Sequence, residues 1–137
     1  MLVEVQALVV PTQLAIPRRV STGVDQRKVQ LLVAVLQKRC GLALGGSDVF
    51  VNVAGGLTVN DPGADLGVAL AIASSFLDKP LPSKSVAVGE VGLLGEIRQV
   101  RRLRQRVTEA TKLGYGYVIG PDQFKTLRQV LGVFHKK

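Results

Sequence analysis

Five arginines, Arg98, Arg101, Arg102, Arg104 and Arg106, fall within nine residues, directly after the segment Val88-Gly-Glu-Val-Gly-Leu-Leu-Gly-Glu-Ile97. A guanidinium stays charged near neutral pH, and its flat fork of donors meets phosphate or carboxylate oxygens two at a time. Such a run needs a polyanion, a set of carboxylates, or extensive hydration. Between Arg98 and Lys112 the only acidic residue is Glu109. Acids are thus scarce nearby, and the run is expected to meet phosphates. Two shorter clusters add to it: Arg18-Arg19 in a proline-containing stretch, and Arg27-Lys28 at a helix start, where cations oppose the helix dipole unless an anion compensates. Arg98 and Arg19 are the leading candidates for phosphate contact, with Arg18, Arg27, Lys28, Lys79, Arg101 and Arg102 behind them. The plain alternative is a solvated face with a few salt bridges. The chain has four Phe, two Tyr and no Trp, so contact with the phosphate backbone should outweigh base stacking. Duplex and single-stranded DNA both remain open, in either case without sequence preference.

Other chemistries fit less well. No Gly-x-x-x-x-Gly-Lys-Ser/Thr segment is present, so no P-loop is predicted. Gly89, Gly92 and Gly95 are spaced for tight turns rather than for the dinucleotide fingerprint. Ser74 and Ser75 lie near Lys79, but a Ser-Lys pair needs a desolvated lysine, and Lys79 sits at a helix end beside Asp78. Asp61 and Asp65 are paired carboxylates by spacing. A helix-start role is more economical for them, with Asp61 as the cap. One cysteine, Cys40, cannot form an internal disulfide and fits a reducing cytosol. With His135, placed in a basic tail and given no role, it makes too few ligands for a zinc site.

These residues must be held by a folded body. Apolar residues are 47% and charged residues 20% of a 137-residue chain, a globular composition that fits one domain. The formal net charge of +8, from 18 basic and 10 acidic side chains, favours anionic partners. No apolar run approaches the ~20 residues of a membrane span, and the N-terminus alternates like a strand rather than a signal peptide.

Strands are predicted over Leu2 to Val10, Asp48 to Ala54, Leu57 to Asn60, Ser85 to Val88, Gly92 to Arg98 and Tyr117 to Ile119. The stretch from Pro11 to Gly23 reads as a loop. A helix capped by Asp25 runs to about Arg39 and ends at Gly41. A second, apolar nearly all round and therefore buried, runs from about Ala64 to Leu77 after Pro62-Gly63. A third spans Val100 to Leu113, stopped by Gly114, and a fourth Asp122 to Leu131. This is an α/β (α+β) pattern. A first residue that leads straight into a strand hints at a piece of a longer chain.

The order of these segments carries a resemblance. Val51-Asn-Val-Ala-Gly-Gly56, Asp61-Pro-Gly-Ala-Asp-Leu-Gly67, the helix to Ser75, and Val88 to Arg98 resemble the Lon-type protease domain. They resemble more closely the C-terminal domain of the bacterial RadA (Sms) family of DNA repair and recombination proteins. Pro17-Arg-Arg19 and Asp78-Lys-Pro-Leu-Pro82 agree. The likeness runs from Val3 to about Pro121. It implies the Lon-protease-like fold, shared with the second domain of a small-subunit ribosomal protein, over residues 1–137. Laid on this chain, the serine of the Lon dyad falls at Asp65 and the lysine at Arg104 or Arg106. Neither keeps the chemistry: a carboxylate has no hydroxyl to acylate, and arginine does not act as the base. Asp65 and Arg106 are expected to pair instead. The resemblance further implies a non-catalytic DNA-binding and oligomerisation domain, a six-membered ring, and a cytoplasmic ATPase that promotes branch migration. Its ATP, magnesium and zinc sites would lie N-terminal to this segment, with no cofactor or metal here and no membrane contact. A Lon-type Ser/Lys peptidase and a purely structural ring scaffold, with Glu90, Glu96 and Asp65 of a neighbour taking the arginines, are the alternatives.

Overall fold

Alternating apolar residues build the central sheet of the computed structural model, which describes residues 2–135, the side chain of His135 excepted. Met1, Lys136 and Lys137 lie outside the described residues, as does the expectation for the His135 side chain. Strand β1 (Val5–Pro11) pairs antiparallel with β3 (Ser47–Val53), placing Val5 opposite Val53, Ala7 opposite Val51 and Val9 opposite Val49. These inward rows pack against helix α2 (Asp65–Leu77), whose Leu66, Val68, Ala69, Leu70, Ile72 and Ala73 are buried. The all-round apolar character read from the sequence therefore reflects burial between sheet and helix.

Helix α1 (Gln26–Cys40) begins where the Asp25 carboxylate accepts the Arg27 N–H at 2.9 Å, and it ends at Gly41 in the left-handed region at φ 72°. It covers the same core through Val29, Leu32, Val33, Val35 and Leu36. Beyond α2 come β4 (Ser85–Ala87), β5 (Glu90–Val91), β6 (Ile97–Arg98), α3 (Leu103–Lys112), β7 (Tyr117–Ile119) and α4 (Leu127–Val130), the last running into a 3₁₀ turn over Leu131–His135. β4 pairs parallel with β7, and β5 with β6 antiparallel.

Several expectations change. The stretch from Pro11 to Gly23 contains a strand, β2 (Arg19–Thr22), parallel to β3, with α1 as the crossover. Prolines before it hid the short Val20–Thr22 signal. With β1 on one side of β3 and β2 on the other, no edge of that strand is left for residues 57–60. Those residues form no strand; Val59 N–H bonds the Gly23 carbonyl at 2.7 Å. The Gly92 to Arg98 stretch is a turn plus the two residues of β6. Helix α3 starts at Leu103 rather than Val100, because Arg102 takes a left-handed φ of 58° that an α-helix does not accept. Residues 122–126 precede α4 as a turn, and the Thr126 hydroxyl caps α4 by accepting the Gln129 N–H at 3.2 Å.

Candidate nucleic-acid interface

The N-terminal end of α2 is where a hydrolytic pair would stand, and charge is cancelled there. Asp61 caps the turn by accepting the Gly63 N–H at 2.8 Å, and Arg106 reaches from α3 to its Oδ2 at 2.7 Å. Gly63 leaves room for this reach, since a β-carbon at that position would collide with the Arg106 guanidinium. Burial works to raise the Asp61 pKa, but the Gly63 N–H and Arg106 outweigh it and hold the carboxyl below its usual range.

The expected Asp65–Arg106 link is not formed. Asp65 lies on the buried side of the first turn of α2, 3% exposed, where its Oδ2 accepts the Lys28 ammonium at 3.3 Å and the Val91 N–H at 3.2 Å. Burial pushes its pKa up, opposed by the Val91 N–H and Lys28 and reinforced by Glu90. The anion that the Lys28 position requires at a helix start is therefore Asp65, supplied by another helix.

Neither serine supports a displaced nucleophile. Ser74 Oγ donates to the Lys79 carbonyl at 2.5 Å, and Ser75 Oγ accepts the Val9 N–H at 2.9 Å. Both hydroxyls serve the backbone. Among the described residues, no group of His, Cys, Asp and Glu could hold a metal ion.

The structure separates the predicted phosphate contacts into two sets. Arg18 is bound to Asp48: its backbone N–H, Nε and Nη2 donate at 2.6, 3.1 and 2.8 Å, and its guanidinium lies 5.8 Å from the centre of the Phe50 ring. These bonds hold the Asp48 carboxyl below its usual pKa against the opposing effect of burial. Arg19 donates to the Ser47 carbonyl and, at 3.1 Å, to the Leu44 carbonyl. Arg98 sits between Glu96 at 2.9 Å and Glu90 at 3.7 Å. The acids offered as mates in a neighbouring subunit thus pair within the chain. Lys28 is taken by Asp65, as described.

Arg27, Lys79, Arg101, Arg102 and Arg104 form the other set. All are exposed, and their side chains make no hydrogen bond or ion pair among the described residues. Arg101 and Arg102 stand in the turn before α3 rather than on it, and Arg104 follows in its first turn. Arg104 also lines a shallow groove with Gln99, Leu103, Val107, Thr108, Val118, Asp122 and Gln123. The sequence showed this run but not which of its members are free: Arg106 finds Asp61 across the fold, while Arg98 turns back to Glu96 and Glu90 just before it. Arg39 went unnoticed, since it meets the β5–β6 turn only in the fold.

A family model described as subunit ChlI of Mg-chelatase matches residues 4–123. The DNA repair protein RadA of Halalkalibacterium halodurans is 52% identical over 122 residues, 89% of this chain and 27% of that protein. RadA of Bacillus subtilis is 50% identical, and that of Listeria monocytogenes 49% identical, each over 120 residues, 88% of this chain and 26% of theirs. An α/β chain with these matches belongs to the ChlI-type family, as a domain of the RadA kind that corresponds to the C-terminal region of those DNA repair proteins. It spans about a quarter of the length of the curated relatives it matches. Among the described residues, no helix is long and apolar enough to cross a membrane.

Proposed function

We propose that this chain is a DNA-binding and oligomerisation domain, without hydrolytic activity of its own, of a cytoplasmic RadA-type recombination and repair ATPase that promotes branch migration. Nucleotide, magnesium and zinc would be held by other parts of that protein. The observation that carries the reading is the contrast between two neighbouring regions. At the degenerate dyad Asp61, Asp65, Lys28 and Arg106 neutralise one another. Just beyond, Arg101, Arg102 and Arg104 stand exposed, and no ion pair holds their side chains among the described residues. Free guanidinium groups on a body of net charge +8 attract phosphate and release its counterions on contact.

Arg101, Arg102, Arg104, Arg27 and Lys79 are therefore the principal contacts. Arg18, Arg19, Lys28 and Arg98 contribute field, and would meet phosphate only by sharing or leaving their present partners. A ring of six such domains would present the basic run repeatedly to one polyanion. The reading is tested by gel-shift titration with duplex and single-stranded oligonucleotides of unrelated sequence. Arg101→Ala/Arg102→Ala/Arg104→Ala is expected to lose affinity for all of them alike, by about 10- to 100-fold at moderate salt. Unchanged affinity would remove the run from the interface. A serine-reactive probe and unfolded casein test the opposite reading: labelling of a defined serine with cleavage would restore a peptidase.

A further inference from the structure

The turn joining β5 to β6 carries two adjacent leucines into solvent: Leu93 is 66% and Leu94 69% exposed. Gly95 N–H bonds the Gly92 carbonyl at 2.9 Å, which places Leu93 and Leu94 at the two central positions of a tight turn, followed by Gly95 at φ 81°. Side chains hold the peptide groups of this tip. Arg39 Nε donates to the Leu93 carbonyl at 3.3 Å, and the Arg39 side chain packs where a β-carbon on Gly95 would stand. The Leu94 N–H donates to Glu96 Oε1 at 3.1 Å, while Arg98 grips the other oxygen of the same carboxylate at 2.9 Å. Leu127 N–H bonds the Gly95 carbonyl at 2.7 Å. The tip is thus fixed before any partner arrives, with the Leu93 carbonyl, the Leu94 N–H and both peptide groups of Gly95 bonded and its leucine side chains bare. Exposed Arg39 and Arg98 flank it.

We propose that the Leu93–Leu94 turn is an apolar wedge that enters a base step of duplex DNA while Arg39, which has no carboxylate partner among the described residues, faces the adjacent phosphate; this rests on the DNA-binding reading above. Leucine is among the side chains that unstack a base step when presented on a firm support, and cations beside the wedge hold the phosphates against it. Prior fixation of the turn removes the ordering cost that would otherwise weaken insertion.

The test uses the chain with duplexes carrying 2-aminopurine at an interior position, together with Leu93→Ser/Leu94→Ser, Leu93→Met/Leu94→Met and Arg101→Ala/Arg102→Ala/Arg104→Ala. Binding of the unaltered chain is expected to raise 2-aminopurine fluorescence as the base unstacks. The serine variant should bind about tenfold more weakly without that rise, and by the same factor at every salt concentration, since no cation is removed. The methionine variant should keep both signals. The triple arginine variant should bind weakly but still give the rise when saturated. If the unaltered chain binds duplex without the rise, or the serine variant matches it in both signals, the wedge is wrong and DNA binding stands. If the chain binds no DNA even at low salt, both fall. Capture of an acidic leucine-containing peptide that depends on the leucines, with DNA affinity independent of them, would make the tip a protein dock and overturn the wedge.

Discussion

Asp65 is buried without ideal compensation, since its pKa is pushed up although Lys28 and the Val91 N–H both favour its charge. A carboxyl whose folded pKa is raised binds more protons folded than unfolded, so its contribution to stability falls as pH rises through the window above 3.8, its reference value. Lys28→Met leaves that carboxylate without a cation and lifts its pKa further. The expected cost is about 1–3 kcal/mol at pH 7, reduced from that of a fully buried pair because Lys28 is partly exposed. It should shrink toward pH 4, as the folded carboxyl protonates with or without Lys28; urea unfolding at the two pH values measures the difference. Asp48 behaves oppositely. The hydrogen bonds from Arg18 depress its folded pKa, so it adds stability above pH 3.8 that is lost as pH falls through the folded value. Asp48→Asn should therefore be less stable near neutrality and show a shallower loss on acidification below pH 4, followed by circular dichroism. Equal pH profiles for Asp48→Asn and the unaltered chain would contradict the Arg18 pairing.

Elements meet where side chains are missing as much as where they are present. Gly23 turns the chain from β2 toward α1 at φ 88°, with the Leu57 carbonyl 2.5 Å from where a β-carbon would stand and Val53 atoms at 2.7 and 2.8 Å. Gly23→Ala is expected to destabilise by about 2–4 kcal/mol through backbone strain and collision together, measured as a fall in the urea midpoint. A loss below about 0.5 kcal/mol would mean that the 57–60 segment does not pack on this turn. The local rules readable from sequence governed most elements. Asp25, Gly41, Asp61 and Gly114 punctuate helices where the residue types predict, and strict alternation identified β1 and β3. What failed was decided by distant partners. β2 is a strand because β3 offers it an edge, and residues 57–60 are not: both sides of β3 are taken, and Val59 makes a single bond to the Gly23 carbonyl instead. Arg106 chose Asp61 over Asp65 because the two carboxylates, four residues apart, point to different sides of the turn. The start of α3 moved because Arg102 adopts a left-handed backbone, which no propensity of arginine signals.

Over the whole molecule the net charge of +8 is not spread evenly. Lys28 and Arg106 are cancelled at the start of α2, and Arg101, Arg102 and Arg104 stand together in the turn before α3 and its first turn, while exposed Arg27, Lys38, Lys79, Lys84 and Lys112 are scattered over the rest of the described residues. Arg18 and Arg98, paired within the chain, have little left for a neighbouring subunit. A ring assembled from this domain should therefore keep its mass on raising salt from 0.1 to about 0.5 M, where exposed ion pairs are screened; sedimentation in the two buffers checks this, and dissociation at high salt would return the arginines to a subunit interface. The central claim is that free arginines, and not paired ones, meet phosphate. The most direct measurement is the slope of log affinity for a duplex against log salt concentration, for the unaltered chain, Arg101→Ala/Arg102→Ala/Arg104→Ala, and Arg18→Ala. The triple change should flatten the slope by about 2–3 units while Arg18→Ala leaves it nearly unchanged. A slope untouched by the triple change, or flattened equally by Arg18→Ala alone, would contradict the account.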